Sequence, residues 1–413
     1  MTSAIMTCTA CACLCNDIEL EIKEDRIVKI KNACRKGSSF IYAAQIDNHR
    51  SLNLIHGQRV SEEEAIKNAW SLISHAQRPL FFGFDNCTLE TQSVAIELAQ
   101  TLGATIDNSS SFCQGELIRT ILTHISPTCS LDEAKDADLL IYWGSNPYHS
   151  HPRHLSRFSY YTNPKYQDTG WYPESKISCI EVKDTEISEM CEKFFASFRI
   201  LSGEDSDFID SVLTIMDGRE GRKDAEHFLK LIKSSFFCVL YVGLGLDHSL
   251  DGDYLLFNTM VDRLCEWTRV AVIPMIDHSN MRGFNQLLFD KTGFVNKVNF
   301  ADKTSCKAEF SFLEQVRNNM PDCIFVAGAD PLSCLPVSLV KKIENTPIIT
   351  IDPFLTDTAR VSEVVVGAAI PGLETGGSAV RMDGTVVSLN SVISPSMPRD
   401  EEIIRRLLDM ART

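Results

Sequence analysis

Residues 138–147 read DLLIYWGSNP, an apolar run that stops at Gly144 and passes into a polar turn. A short unbroken apolar run bounded by turn residues is typical of a strand buried on both faces of a sheet. Similar runs recur along the chain, at residues 80–84, 104–106, 177–182, 236–242, 270–274, 322–327 and 347–351. Amphipathic helical patterns lie between most of them. Strands that alternate with helices predict βαβ units with parallel sheets.

The length of the chain predicts more than one domain. Its 413 residues exceed what one hydrophobic core usually organises. There are more strand-like runs than one doubly wound sheet comfortably holds. We therefore expect an α/β fold with two doubly wound, Rossmann-like domains built on parallel sheets. The junction at residues 131–138 and the loop at 278–297 are candidate boundaries.

Composition excludes several classes of function. The formal net charge of −15 would repel phosphate backbones, so we expect no nucleic-acid partner. The longest apolar run, residues 236–246, is about half the length that spans a bilayer. The first residues are rich in cysteine and do not resemble a secretory signal, so we expect a cytoplasmic protein without a membrane span.

The most specific pattern is a group of cysteines near the N-terminus. The sequence CTACACLC places Cys8, Cys11, Cys13 and Cys15 close together, and Cys34 follows nineteen positions later. The arrangement C-x2-C-x3-C-x18-C can supply four thiolates to a 4Fe-4S cluster. A structural zinc ion needs the same ligand type and is the alternative. This ligand set does not include Cys13, which would be either a packed core side chain or a spare cysteine.

Three stretches resemble a known superfamily. The cysteine spacing followed by Cys34-Arg35-Lys36-Gly37 is similar to the opening of the molybdenum or tungsten bis-pterin oxidoreductases, which include formate dehydrogenases. The loops WGSNP at 143–147 and VAGADP at 326–331, and the segment 351–366, resemble later parts of that superfamily. The likeness is narrower at CTACACLCNDI (8–18), NACRKG (32–37) and HPRHLSR (151–157), which resemble the B subunits of formylmethanofuran dehydrogenases.

The resemblance implies a set of cofactors and the residues that hold them. It implies a 4Fe-4S cluster on Cys8, Cys11, Cys15 and Cys34, a tungsten or molybdenum ion, and two molybdopterin guanine dinucleotides. Lys36 would bridge the cluster and an anionic pterin, although a solvated surface charge is the alternative. The remaining expected cofactor-binding residues are Gly144, Ser145, Asn146, Pro147, Asp184, Thr185, Asp205, Gly328 and Asp330. For the Asp and Thr residues near helix starts, helix capping is an alternative that is compatible with binding.

The resemblance also implies catalytic residues. Cys113 follows the run at 104–106 within the polar loop DNSSSFCQG, at the end of a strand where open α/β sheets place ligands. In the superfamily this cysteine ligates the metal. Carbon-dioxide-reducing members usually place a histidine next, but here the residue is Gln114, which cannot titrate. His278 is a candidate substitute, and Arg282 is the candidate partner of a formate carboxylate.

Some of these assignments have simpler alternatives. A lone cysteine in such a loop is often structural, and Arg282 could be a surface residue. His149, His151 and His154 suggest a metal site by spacing, but Pro152 interrupts any common helical face. We interpret their segment as a loop that lines the active site or contacts another subunit.

The expected domains follow from these assignments. They are an iron–sulfur subdomain at 1–50 joined by residues from about 355 to 413, an α/β domain at 51–130 and about 270–355 carrying Cys113, and a pterin-nucleotide domain at 131–269. The chain stops where larger relatives continue into a β-barrel, so we expect a separate small subunit to supply that domain.

The implied function is reversible reduction of carbon dioxide to formate, which a partner would condense with methanofuran. The implied partners are an amidohydrolase-type A subunit, a C subunit, a small β-barrel D subunit and polyferredoxin-type subunits. A heterodisulfide reductase-type complex is a further candidate partner. One alternative is another molybdopterin oxidoreductase. The second is a structural subunit without cofactor, as in some bacterial formyltransferase/hydrolase complexes.

Overall fold

The computed structural model describes residues 1–162 and 176–413. The chain forms two compact units. Unit 1 comprises Met1–Phe112, His278–Arg381 and Val386–Thr413, and unit 2 comprises Cys113–Asp277 and Met382–Thr385. The domain limits expected at residues 50, 130, 269 and 355 stay predictions, because compactness alone does not decide which segments fold independently.

The strands and helices are numbered along the chain. The strands are β1 Thr2–Met6, β2 Ile18–Lys23, β3 Arg26–Lys31, β4 Leu54–Ile55, β5 Gln58–Arg59, β6 Pro79–Gly83, β7 Thr105–Asp107, β8 Leu139–Trp143, β9 Lys176–Glu181, β10 Ala196–Arg199, β11 Phe237–Val242, β12 Arg269–Pro274, β13 Val298–Asn299, β14 Ser305–Cys306, β15 Cys323–Ala327, β16 Ile348–Asp352, β17 Val364–Gly367, β18 Gly377–Val380 and β19 Val386–Leu389. The helices are α1 Arg35–Ala43, α2 Glu62–His75, α3 Leu89–Thr101, α4 Gly115–Leu122, α5 Pro147–Ser150, α6 His154–Arg157, α7 Glu186–Phe194, α8 Asp205–Met216, α9 Lys223–Lys233, α10 Leu244–Ser249, α11 Leu255–Cys265, α12 Met281–Thr292, α13 Phe312–Arg317, α14 Val337–Val340, α15 Asp357–Val361 and α16 Asp400–Ala411.

Unit 1 is built on a nine-stranded sheet. Its order is β14-β13-β7-β6-β15-β16-β17-β4-β5, and the five strands from β7 to β17 are parallel. Among these five the order is the one seen in flavodoxin-like doubly wound sheets, in which the chain changes direction between β6 and β15. Apolar side chains pack on both faces of the sheet, which explains the unbroken apolar runs.

Unit 1 also contains a three-stranded antiparallel sheet, β1-β2-β3. The loop between β1 and β2 carries the first four cysteines. Residues near the C-terminus hold this loop in place: the Thr7 hydroxyl donates to the Ser388 carbonyl (3.2 Å), and the Thr9 hydroxyl donates to the Pro371 carbonyl (3.0 Å). Distant parts of the sequence therefore fix the shape of the cysteine loop.

Unit 2 is built on a five-stranded parallel sheet of order β10-β9-β8-β11-β12. The chain changes direction between β8 and β11, which places a topological switch point there. Gly144 and Gly243 follow these two strands, and their backbones approach closely. A Cβ atom on Gly243 would lie 2.2 Å from the Gly144 carbonyl oxygen, so only glycine fits.

The predicted alternation of strands and helices is confirmed. Every apolar run that we assigned to a strand forms one, with ends that differ by about one residue. The predicted parallel sheets are present in both units. Within the described ranges, the helices lack the length and apolar character that crossing a membrane requires.

Candidate functional site

The N-terminal cysteines lie together in unit 1. Cys8, Cys11, Cys13 and Cys15 are all buried. The Cys8 amide donates to the Cys15 carbonyl (2.9 Å), which closes the loop, and the amide of Leu14 donates to the Cys11 carbonyl (3.2 Å). Leu14 itself has a positive φ of 41°, and its side chain packs against Ala379 and Leu389 of the hairpin β18–β19. The loop thus forms a tight, anchored turn.

Cys34 approaches this loop from α1. It is the N-cap of that helix, and its sulfur accepts a hydrogen bond from the Gly37 amide (3.4 Å). A Cβ atom on Gly37 would lie 3.0 Å from the sulfur of Cys8 and 3.8 Å from that of Cys34. The two sulfurs therefore flank one glycine, whose lack of a side chain leaves space beside them.

The arrangement fits the predicted cluster. Four thiol groups from two segments can supply the ligands of a cubane, and amide-to-sulfur hydrogen bonds such as the one at Cys34 stabilise ligating thiolates. The same donor set also suits zinc, so the geometry is compatible with either metal centre. Lys36 lies in the first turn of α1 and is half-buried.

Cys13, the cysteine without an assigned role, lies among the others. Only 1% of its surface is exposed. Burial raises the pKa of its thiol well above the ordinary value, and a hydrogen bond with Cys11 raises it further. The sulfurs of Cys11 and Cys13 lie within 4.8 Å of each other. Cys13 therefore faces the cysteine group instead of packing elsewhere in the core.

The switch point of unit 1 carries a buried polar network that the sequence did not single out. Asp85 follows β6 and is fully buried. Its carboxylate accepts hydrogen bonds from the Asn108 amide group (2.6 Å) and the Ser109 backbone amide (3.1 Å). Burial raises the pKa of Asp85, while nearby His278 opposes the rise. A charged residue directly after the apolar run at 80–84 was the sequence signal that could have revealed this network.

The same network holds the segment that precedes Arg282. The backbone amide of Asn280 donates to the Asp85 carbonyl (2.7 Å), and the Asn86 side-chain oxygen accepts from the Ser279 amide (3.2 Å). The Asn86 amide group also lies 3.5 Å from the His278 ring nitrogen. Arg282 lies in the first turn of α12 and is 5% exposed, so the interpretation as a surface arginine is wrong.

Gly328 and Asp330 follow β15 at the neighbouring strand end. Gly328 has a positive φ of 58°, and a Cβ atom there would lie 2.7 Å from the sulfur of Cys87. The Asp330 carboxylate accepts from the Thr358 hydroxyl (2.6 Å) and backbone amide (2.9 Å), at the start of α15. In this structure Asp330 stabilises a helix start, which leaves its predicted role in cofactor binding as a prediction.

Cys113 lies in unit 2, just before α4, and is partly exposed. Its neighbour Gln114 is buried at the N-cap position of that helix. The Gln114 side chain donates to the Val242 carbonyl at the end of β11 (2.9 Å), and its oxygen lies 3.7 Å from the Cys113 sulfur. A helix N-terminus stabilises a thiolate, which suits a metal-ligating cysteine.

The loop at 144–147 follows β8 at the switch point of unit 2. Gly144 adopts a positive φ of 60°. Ser145 is buried, and Pro147 occupies the first turn of α5. Asn146 caps α5, and its amide group donates to the Glu186 carboxylate (2.7 Å). The loop therefore begins at the strand edge where such sheets bind ligands.

The other expected nucleotide-binding residues of unit 2 have structural contacts. Asp184 is exposed and pairs with Arg199. Thr185 caps α7 through a capping box. Asp205 is buried and accepts a hydrogen bond from the Trp143 indole (2.6 Å). The capping alternative is confirmed for Thr185, while nucleotide binding by these residues stays a prediction.

The interpretation of the segment from His149 to His154 as a loop is wrong in part, because His149 lies in α5 and His154 begins α6, with a short turn between them. Its role in lining the active site or contacting another subunit stays a prediction. His154 begins α6 and is completely buried. Its ring accepts or donates a hydrogen bond with the Tyr142 hydroxyl (2.9 Å), and burial lowers its pKa well below the ordinary value. His151 is also buried and bonds to the Ile276 carbonyl (2.7 Å). His149 instead lies at the surface beside Glu186.

Glu181, at the end of β9, is a second carboxylate that the sequence did not reveal. Burial raises its pKa to about 7, and Asp205 adds to the rise. Its Oε1 atom is buried, and no group in the described part of the chain donates a hydrogen bond to it. A backbone hydrogen bond from Ser145 and the nearby charge of Lys183 offset this rise only in part, so burial dominates and ionised Glu181 destabilises the folded chain.

Replacing Glu181 with glutamine is expected to stabilise the chain at pH 8 by about 1–2 kcal/mol, once solvent screening is allowed for. The pKa of Glu181 in the folded chain lies above the ordinary value of 4.5. The protonated carboxyl group therefore contributes its full stability below pH 4.5, and this contribution is lost as the pH rises towards 7. The advantage of the variant should therefore shrink at pH 5. Urea unfolding at both pH values measures this, with the exposed Glu226→Gln as control. An advantage that does not change with pH would contradict the assignment.

Comparison with known proteins identifies two full-length homologues. Each is 26% identical to this chain and aligns over 98% of it and 97% of its own length. They are the B subunits of the enzymes named tungsten-containing formylmethanofuran dehydrogenase 2 in Methanocaldococcus jannaschii and Methanococcus maripaludis. No protein-family model matches the chain.

Two solved structures share the fold. The formyltransferase/hydrolase complex FhcABCD from Methylorubrum extorquens, in complex with methylofuran, contains a chain that matches with a TM-score of 0.69 at 16% identity, over 87% of this chain and 98% of that one. Acetylene hydratase from Pelobacter acetylenicus matches with a TM-score of 0.62 at 12% identity, over 98% of this chain and 69% of that one. At these identities the likeness establishes the fold alone.

Proposed function

We propose that this chain is the redox subunit of a formylmethanofuran dehydrogenase, in which carbon dioxide is reversibly reduced to formate at a tungsten or molybdenum bis-pterin centre. The observation that carries the proposal is the buried group of Cys8, Cys11 and Cys15 with Cys34 beside it, which suits a 4Fe-4S cluster. The names of the full-length homologues support the assignment and favour tungsten.

The bound groups would supply the redox chemistry, because two electrons and one proton convert carbon dioxide into formate. The protein would contribute ligands and charge. Cys113 would ligate the metal, and the N-terminus of α4 would stabilise its thiolate. Arg282 would pair with a carboxylate by two parallel hydrogen bonds. His278 can hold a proton, which Gln114 cannot.

Cofactor binding would use the strand ends of both sheets. Gly144 and Gly328 adopt positive φ values that turn the chain sharply at two strand ends, and without a Cβ atom they pack closely against Gly245 and against the sulfur of Cys87. Two molybdopterin guanine dinucleotides would bind at such positions, with Lys36 as the cation beside the cluster. Formate would then pass to a partner subunit.

A cofactor-free structural subunit is the second candidate. The likeness to a chain of the FhcABCD complex favours it, since that complex is named for formyl transfer and hydrolysis and not for a redox reaction. Gln114 is compatible with it, because the family histidine is missing. Retention of the four cluster cysteines and of Cys113 favours the redox subunit instead.

Metal analysis of the complex purified without oxygen separates the candidates. We expect about four irons and about one tungsten or molybdenum per chain. The complex should also reduce a viologen dye when formate is supplied. A Gln114→His variant should keep its metals. If the purified complex contains only zinc at the cysteine group, or neither iron nor tungsten nor molybdenum, the proposal is overturned.

A further inference from the structure

We propose that the thiol of Cys13 donates a hydrogen bond to the sulfur of Cys11 and thereby raises the reduction potential of the cluster that Cys11 would ligate. The inference rests on the proposed cluster and concerns the one cysteine of the N-terminal group that has no ligand role. It makes Cys13 a positioning residue, because it acts through Cys11 and does not touch iron itself.

The local backbone places the two sulfurs together. The hydrogen bond from Leu14 to the Cys11 carbonyl (3.2 Å) forms a turn over Cys11, Ala12 and Cys13. The two side chains then project to the same side, with sulfurs within 4.8 Å. Leu14 packs in the apolar cluster with the β18–β19 hairpin, which keeps the turn closed.

The surroundings make such a hydrogen bond effective. Cys13 is 1% exposed, and Ala12 beside it is completely buried, so water does not compete for the sulfur of Cys11. A hydrogen bond at low dielectric is stronger than one in water. Reduction adds negative charge to a cluster and its ligands, so a donor at a ligand sulfur stabilises the reduced form.

The alternative for the same geometry is that Cys13 is itself a ligand in place of Cys11. The spacing C-x4-C-x-C would then replace C-x2-C-x3-C. Both arrangements bring three sulfurs from one loop. They differ in what happens to the iron when one sulfur is removed, which makes them separable by experiment.

The test uses the whole complex, purified without oxygen, with Cys13→Ala and Cys13→Ser variants. We expect Cys13→Ala to keep its iron and to shift the midpoint potential to a more negative value. At a fixed solution potential the ratio of reduced to oxidised cluster should fall roughly threefold to tenfold, as followed by electron paramagnetic resonance. The serine hydroxyl can also donate, so Cys13→Ser should restore part of the shift.

Cys323→Ala is the matched control, because Cys323 is buried in β15 of the same unit, outside the cysteine loop. It should leave the potential unchanged. An unchanged potential in Cys13→Ala, or loss of iron in that variant with retention in Cys11→Ala, would overturn the inference while leaving the cluster in place. A wild-type complex without iron would instead overturn the proposed function and the inference together.

Discussion

Cys15→Ala is expected to abolish binding of the proposed 4Fe-4S cluster. Alanine has no lone pair to offer iron, whereas serine could substitute through its oxygen, so alanine is the sharper change. We expect the iron content to fall from about four per chain towards zero and formate-dependent viologen reduction to fall at least about a hundredfold. The main chain at Cys15 is tied to Cys8 by a backbone hydrogen bond (2.9 Å), which the substitution leaves in place.

Cys334→Ala provides the control for Cys15→Ala, because Cys334 is an exposed thiol in the same unit. It should keep both iron and activity. Iron determination and electron paramagnetic resonance measure the first effect, and dye reduction measures the second. A Cys15→Ala complex that retains four irons would show that another residue completes the ligand set and would remove Cys15 from it.

The alternation of strands and helices was predictable because the central strands are buried on both faces. In β8 and β11 every residue is buried, so each strand appears in the sequence as an unbroken apolar run. The start of α2 also carries a local sequence signal, the capping box formed by Ser61 and Glu64. Local patterns of this kind can be recognised in the sequence without knowledge of the tertiary fold.

Not every strand was predicted. β2 reads IELEIK, an alternating pattern typical of a half-buried strand that could have been recognised, although its pairing with β1 and β3 could not. The short strands β4 and β13 have two residues each, too few for any periodicity. Long-range pairing decides these elements, and a linear pattern does not contain it.

The candidate site was predictable only in part. The cysteine spacing identified a group that the structure brings together, because short loops confine their own sulfurs. In contrast, Asp330 and Asp205 looked alike in the sequence as acidic residues near strand ends. In the structure, Asp330 accepts a hydrogen bond from Thr358 at the start of α15, whereas Asp205 accepts one from the Trp143 indole. Asp85 and Glu181 gained their shifted pKa values from burial, which no local sequence pattern reports.

Gln114 shows how the structure changes the meaning of a departure from a family pattern. Its side chain is buried and donates to the Val242 carbonyl, so it fastens the Cys113 loop to the end of β11. A neutral amide performs this role at any pH. In the proposed reaction the proton for formate formation would therefore come from another group, and we assign that role to His278.

Cys113→Ala is expected to abolish turnover while leaving the cluster intact. Cys113 is the one residue to which the proposal gives a bond to tungsten or molybdenum, and its loss would remove a soft anionic ligand that suits a sulfur-bound metal. We expect formate-dependent viologen reduction to fall at least about a thousandfold, equivalent to about 4 kcal/mol in transition-state stabilisation. The iron content and the electron paramagnetic resonance signal of the reduced cluster should be unchanged.

Two measurements make the Cys113 result specific. X-ray absorption at the tungsten or molybdenum edge should report one sulfur neighbour fewer in Cys113→Ala than in the wild type. Cys265→Ala, an exposed thiol in the same unit, should keep both activity and sulfur neighbours. A Cys113→Ala complex that keeps more than about a tenth of wild-type turnover would exclude this cysteine as a required ligand. Because the cluster cysteines lie in the other unit, iron retained alongside lost turnover would separate electron entry from the chemistry at the metal.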